Sequence, residues 1–170
     1  MSVLALAGQV SLGVCLQLAS AAESTPVFVP VQAFTLAWDH SIEKVRWEED
    51  YDVLLSEQAA SALKSDYQGQ LVESEDNVVA KQPVLVAKAA RIRGSGAGME
   101  PPEDAVFKEG WYHYTPLIVE HQELRLTRSE FVPDYEWCDV DGCRSLSELL
   151  PRDGDVTLMW ACDSQKVKVF

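Results

Sequence analysis

The chain has 170 residues, of which 47 % are hydrophobic, and it carries a net charge of −13 with a pI of about 4.5. A chain of this length and apolar content can bury a core of its own, which excludes an intrinsically disordered protein. The acidity leaves no basic surface for a polyanion, so we expect no nucleic-acid partner.

The N-terminal residues 1–22 contain no charged side chain and end in Ala19-Ser20-Ala21-Ala22, just before Glu23. Small residues after an apolar run are typical of a signal-peptidase site, which predicts cleavage near Ala21 or Ala22 and export to the periplasm. The alternative is an uncleaved N-terminal anchor in the inner membrane.

The four cysteines agree with export. Cys15 would leave with the signal peptide, and Cys138 and Cys143 are spaced to close a disulfide across a tight turn. Cys162 would then remain as the odd thiol, buried in an apolar strand.

Beyond residue 31, alternation of apolar and polar side chains predicts mostly strands. Residues 34–40 and 45–55 are predicted to form a hairpin with one wet face. A variable polar connection follows at about 56–82, with a short helix for which Ser56 is the N-cap. Further strands are predicted at 84–93, 106–107, 111–114, 117–119, 124–127 and 155–162. Ser145 and Glu148 match a capping box for one helical turn. We expect a single mainly β domain over 31–170, an antiparallel β-sandwich or partly closed barrel with one or two short helices.

Glu49 stands out because it shares a strand face with Trp47 and Tyr51, which this pattern predicts to be buried. A buried carboxylate needs a partner or a proton. Arg91 and Arg93, on one face of a later strand, could supply the opposite charge. The alternatives are a purely structural ion pair or a bulge that turns Glu49 to water.

The segment from Gly94 to Pro102 has three glycines at every second position and two prolines at its exit. It lacks the Lys-Ser or Lys-Thr and the following helix of a phosphate-binding P-loop, and without that helix it does not match a dinucleotide-binding loop either. Two interpretations stay open. One is a nest of backbone amides beside the arginines that binds a carboxylate or another small anion, and the other is a rigid structural turn.

Four elements in order, His40-Ser41-Ile42-Glu43, Trp47-Glu48-Glu49, the Gly94–Pro102 segment and Gly110-Trp111-Tyr112, resemble the DUF1850 family from about Phe34 to the C-terminal third. That family is small, bacterial and functionally uncharacterised. Its genes often lie beside those of TAXI-type TRAP transporters, which import organic acids with an extracytoplasmic binding protein. The resemblance therefore implies an exported or membrane-associated accessory of solute uptake, with the transporter's binding protein or permease as partner.

The expected function is non-enzymatic binding of the transporter components or of a small carboxylate, with no cofactor. The residues expected to converge on one polar ligand-binding patch are His40, Ser41, Glu43, Glu49, Arg91, Arg93, Ser95, Gly96, Gly98 and Glu100. One alternative is a divalent-metal site, built on His40 with nearby glutamates or on the Asp139/Asp141 loop. Another is a hydrolase that uses His40 and Glu49 as acid–base groups, although no nucleophile with a nearby base is evident.

Overall fold

The computed structural model describes residues 10–40, 44–66, 81–94, 100–152, 156–165 and 167, with only the backbone for residues 62–66. Most of these residues lie in short strands, as the alternating sequence predicts. The strands are β1 Leu12–Leu18, β2 Val27–Pro30, β3 Ala33–Asp39, β4 Arg46–Leu55, β5 Pro83–Ile92, β6 Val106–Lys108, β7 Trp111–Tyr114, β8 Glu120–His121, β9 Leu124–Thr127, β10 Glu136–Asp139, β11 Gly142–Ser145 and β12 Val156–Asp163. The helix α1 spans Ser56–Asp66, and single 3₁₀ turns span Ala19–Ala21 and Leu146–Glu148.

The strands form two antiparallel sheets that do not close on themselves. The small sheet has the order β2-β1-β12-β9, and the large sheet has the order β11-β10-β3-β4-β5-β7-β6, with β8 paired to β5. Strand β12 contacts β5, and β1 contacts β4, so the sheets face each other. The fold is an antiparallel β-sandwich, the first of the two predicted architectures.

The core lies between the two sheets. Val14, Leu16 and Met159 of the small sheet are fully buried against the large sheet. On the large sheet, the Phe34 ring stacks on the ring of Trp137, with centroids 4.3 Å apart, and on that of Tyr51 at 5.2 Å. Apolar burial thus holds the two sheets together, and aromatic stacking joins β10, β3 and β4 within the large sheet.

The segment predicted as a signal peptide contains β1, an inner strand of the small sheet. It pairs with β12 from Leu12↔Asp163 to Leu18↔Thr157, and Cys15 forms a disulfide with Cys162 across this pair. The expectation of an odd thiol at Cys162 is therefore wrong. A chain cleaved near Ala21 or Ala22 would lack β1, so that cleavage and this sheet exclude each other. In the part of the chain that the structure describes, no helix is long and apolar enough to span a membrane.

Most of the predicted strands are confirmed to within a few residues, and so are the Cys138–Cys143 disulfide, which closes the β10–β11 hairpin, and the capping box at Ser145. The predicted short helix is confirmed as α1, with Ser56 as its first residue and not as its N-cap, while residues 67–80 of the predicted connection lie outside the described residues. The strand predicted at 117–119 is wrong. That stretch follows Pro116 and stays irregular, although the Val119 carbonyl still accepts a hydrogen bond from the Ala87 amide.

Candidate functional site

Successive side chains of a strand point to opposite faces of its sheet, so Glu48 and Asp50 of β4 lie on one face of the large sheet and Glu49 on the other. On the outer face, the Arg91 guanidinium of β5 lies 2.6 Å from Glu48 Oε2 and 2.7 Å from Asp50 Oδ2. Burial works to lower the pKa of Arg91, but the hydrogen bond and charge of Asp50, followed by Glu48, raise this pKa overall. Arg91 is thus occupied by two carboxylates that flank Glu49 in sequence and face away from it.

Arg93 does not reach Glu49 either. Its side chain is exposed, and its guanidinium carbon lies 5.6 Å from the ring centroid of Trp111 on the neighbouring strand β7. This distance is that of a cation–π contact. The two arginines that were expected to balance Glu49 therefore belong to other contacts, and the expected polar patch is divided between two faces of one sheet.

Glu49 itself lies on the inner face, in a row of apolar neighbours. It is opposite Leu36 of β3 and Ala90 of β5, which are 2 % and 1 % exposed. The hydroxyl of Tyr51 donates a short hydrogen bond to Glu49 Oε2. No other described residue donates a side-chain hydrogen bond to this carboxylate, and no described Lys or Arg pairs with it. The partner of Glu49 is thus a neutral hydroxyl and not an arginine.

Three tyrosines respond to the Glu49 charge. Burial first, then the charge of Glu49 and its hydrogen bond, raise the pKa of Tyr51 far above its usual range. Burial and then the charge of Glu49 likewise raise the pKa of Tyr114, which pairs with Ala90 on the neighbouring strand. The same two causes raise the pKa of Tyr135, the residue just before β10. The three hydroxyls stay protonated at neutral pH, and that of Tyr51 donates to the Glu49 carboxylate.

A cavity of about 430 Å³ opens beside Glu49, and none of its lining residues belongs to a strand of the small sheet. Its lining residues are Glu49, Tyr51, Ala87, Pro102, Asp104, Tyr114, Thr115, Pro116, Leu117, Ile118 and His121. Leu117 is 102 % exposed and Ile118 is 67 % exposed, so two large apolar side chains stand at its open side. Its wall is mostly apolar and aromatic, with a few polar groups that include two carboxylates, a composition typical of ligand sites.

His121 forms part of the wall. Its ring is nearly perpendicular to the Tyr51 ring, with centroids 5.9 Å apart and an interplanar angle of 71°. Its Nε2 lies 3.2 Å from the Ile118 carbonyl oxygen, an acceptor, so this nitrogen carries a hydrogen and donates. The contact ties the short strand β8 to the irregular stretch at the mouth of the cavity.

The exit of the glycine-rich segment contributes the opposite wall. Gly94 has a φ of 99°, a conformation that favours glycine, and it ends β5 in a sharp bend. Pro102 and Asp104 line the cavity, and a hydrogen bond of 2.9 Å from the Ala105 amide to the Pro102 carbonyl fixes the turn that holds them. Glu100 is exposed, and the predicted site residues Ser95, Gly96 and Gly98 lie outside the described residues.

The turn at His40 lies apart from this cavity. The His40 amide donates to the Val45 carbonyl at 2.9 Å, and the Lys44 amide donates back to His40 at 3.0 Å, which closes the β3–β4 hairpin. His40 is not among the lining residues, and Ser41 and Glu43 fall outside the described part of the chain. The predicted pairing of His40 with Glu49 thus gains no support from the geometry.

The residues of the predicted metal sites are not brought together either. Glu48 and Glu49 face opposite sides of the sheet, and Asp139 accepts hydrogen bonds from Trp137 Nε1 at 2.7 Å and from Arg144 Nη2 at 2.9 Å. Within the described ranges, no three His, Cys, Asp or Glu side chains are grouped so that they could hold a metal ion. The Asp139 hydrogen bonds brace the disulfide-closed hairpin.

Sequence reasoning selected Glu49 but missed most of the residues around it. Tyr114 was visible as an alternate residue of a predicted strand, yet its position beside Glu49 depends on β7 pairing with β5 through Ala90↔Tyr114. Pro102, Asp104 and His121 come from turns and a two-residue strand that carry no periodic signal. Only the order of strands in the sheet brings them together.

The comparison with known families gives a match over residues 70–146. This stretch matches DUF1850. The model of that family is described as a domain of unknown function, and the match confirms the resemblance over fewer than half of the residues of the chain. The DUF1850 match includes the cavity wall from Ala87 to His121, whereas Glu49 and Tyr51 lie before it. No curated protein and no solved structure gives a significant match.

Proposed function

We propose that this protein is a non-enzymatic, exported binding protein that assists a TAXI-type TRAP uptake system, and that the cavity beside Glu49 is its ligand site. The observation that carries the binding role is the cavity itself. Its volume of about 430 Å³ falls within the roughly 300–1,000 Å³ usual for small-molecule sites. The DUF1850 match over residues 70–146 supports the uptake setting through what the resemblance implies, namely genes that often lie beside those of such transporters.

Export is supported by the cysteines. All four are paired, as Cys15–Cys162 and Cys138–Cys143. Structural disulfides persist in oxidising compartments such as the periplasm and are rare in the cytosol.

A thermal-shift screen tests the ligand site. Solutes of negative, neutral and positive charge are offered to the wild-type chain, to Thr115→Trp, which fills the mouth of the cavity, and to Thr127→Trp, a matched change on an exposed residue of β9. A ligand at 100 times its dissociation constant stabilises the folded state by about 2.7 kcal/mol. We expect at least one solute to stabilise the wild type and Thr127→Trp but not Thr115→Trp.

Two results would contradict the ligand site: no stabilising solute at all, or stabilisation that survives in Thr115→Trp. The transporter role has its own test. The tagged protein is used to capture the neighbouring binding protein and permease from detergent extract, and failure to retain either one removes the uptake role without affecting the ligand site.

A further inference from the structure

We propose that the ligand of this cavity is an organic cation, an amine or quaternary ammonium group on a small hydrocarbon body, whose charge rests against Glu49. This inference rests on the proposed function, because it names the class of ligand for the same cavity. It differs from the carboxylate ligand expected from the sequence.

The charges of the wall favour a cation. Glu49 and Asp104 are both lining residues, and the wall contains no Lys or Arg among the residues that the structure describes. On the other face of the sheet, Arg91 pairs with Glu48 and Asp50. Arg93, on that same face, contacts the ring of Trp111. A ligand carboxylate would therefore meet two like charges in a partly desolvated site, where such repulsion costs more than in water.

Glu49 has acceptor capacity to spare. An ionised carboxylate offers about four lone-pair positions, and the described hydrogen bonds to it come to one, from the Tyr51 hydroxyl to Oε2. An ammonium group has up to three N–H donors and could occupy Oε1. It would also supply the opposite charge that a carboxylate between Leu36 and Ala90 otherwise lacks.

The rings beside Glu49 suit an organic cation. Tyr114 lines the cavity and is half-buried, and the negative face of an aromatic ring attracts an ammonium or quaternary ammonium group. Tyr51 also lines the cavity, but its ring is stacked on Phe34. Leu117, Ile118 and Pro116 offer apolar surface on the other side for a hydrocarbon part. A bare divalent ion would lose this benefit, since such ions require several oxygen ligands at once.

A charge series of matched shape tests the inference. Benzylammonium, benzyl alcohol and benzoate are titrated calorimetrically into the full chain at 150 mM salt, which screens the general attraction of cations to an acidic protein. Butylammonium and choline are run beside butanol and 3,3-dimethylbutan-1-ol, their neutral counterparts. We expect the best cation to bind at least tenfold more tightly than its neutral counterpart, and benzoate to bind most weakly.

Two variants assign the effect to one carboxylate. Glu49→Gln should lower the affinity for the cation about tenfold and leave that for the neutral counterpart unchanged, whereas Glu130→Gln, an equal charge change on an exposed residue outside the cavity, should change neither. If benzoate or the neutral compounds bind as tightly as the cations, in a manner sensitive to Thr115→Trp, the cation inference fails and the ligand site stands. If none of these compounds binds, the cation inference fails, and the ligand site stands or falls by the broader thermal-shift screen. Should Glu49→Gln not fold, the ranking of the wild-type charge series alone decides.

Discussion

Arg128 is a charged side chain that the fold encloses, and it is 1 % exposed. Its Nε and Nη2 each donate to a carboxylate oxygen of Asp134 at 2.9 Å, and its Nη1 donates to the Leu150 carbonyl at 2.8 Å and to Thr157 at 3.1 Å. A buried guanidinium is tolerated only when its donors are satisfied in this way. The hydrogen bonds of Arg128 and Asp134 thus link the stretch after β9 to the 3₁₀ turn that begins at Leu146 and to β12.

Asp134→Asn should destabilise the protein strongly. It removes the countercharge of Arg128 but leaves the guanidinium buried, and breaking one half of a buried pair costs about 3–5 kcal/mol. Asp141→Asn, on an exposed residue of the β10–β11 turn, is the matched control and should cost less than about 0.5 kcal/mol. Urea unfolding followed by circular dichroism measures both. Equal midpoints for the two variants would contradict a stabilising role for the pair.

The same carboxylate should make stability depend on acid pH. Burial works to raise the pKa of Asp134, but hydrogen bonds from Arg128 and Ser147 and the charge of Arg128 bring it far below its usual value. A lowered folded-state pKa contributes stability that is complete above the unfolded-state pKa of about 3.9 and is lost as the pH falls through the folded value.

We therefore expect the difference in unfolding free energy between wild type and Asp134→Asn to be largest at pH 6 and to shrink as the pH falls below about 4. Urea titrations of both proteins at pH 6, 4 and 3 give this difference directly, and other carboxylates cancel because both proteins carry them. A difference that stays constant down to pH 3 would show that ionised Asp134 does not stabilise the fold.

At the scale of elements, the sequence predicted strands where a strand has one wet face or a clear turn beside it. The β3–β4 hairpin, β5, β9 and β12 carry such signals, and the tight turn at Glu109 and Gly110, with φ of 54° and 86°, separates β6 from β7 as predicted. Strand β1 was assigned differently because its residues are apolar on both faces and lack charge. This composition is shared by a signal peptide and by an inner strand, and it is pairing with β12 that distinguishes them.

The two disulfides should contribute unequally because they close loops of very different length. Cys15 and Cys162 are 147 residues apart in sequence, whereas Cys138 and Cys143 are 5 apart. The chain-entropy relation gives about 5 kcal/mol for the long loop and about 2 kcal/mol for the short one. Replacing each pair by alanines and measuring the urea midpoint tests this. A larger loss from the hairpin pair would mean that native hairpin contacts outweigh the entropy of the unfolded chain.

At the scale of the whole molecule, the candidate site depends on which parts of the chain the sheet order brings together. The lining residues come from β4, β5, β7, β8 and the stretches beside them, and none comes from the small sheet. Glu49 is half-buried and faces this cavity, so its carboxylate is not enclosed by apolar side chains alone. The sequence identified Glu49 from periodicity alone. It could not give the cavity or the true partner of Glu49, because both depend on which strands are neighbours.

The N-terminal strand decides between the fold as described and the predicted cleavage. A chain that begins at Glu23 loses β1, including Val14 and Leu16, both 0 % exposed. Full burial of such a side chain contributes about 1.5–3 kcal/mol, and the hydrogen bonds of β1 to β2 and β12 are lost as well. Because whole domains are stable by only about 5–15 kcal/mol, we expect the 23–170 chain to show no cooperative unfolding transition in urea. The full chain with Cys15→Ala isolates the disulfide and should still unfold cooperatively.

The intact mass of the protein recovered from the periplasmic fraction gives a second test, and it should correspond to a chain that contains residues 12–18. A mass that corresponds to a chain beginning at Glu23, with unchanged stability, would mean that β1 is dispensable and that the signal-peptide interpretation is correct.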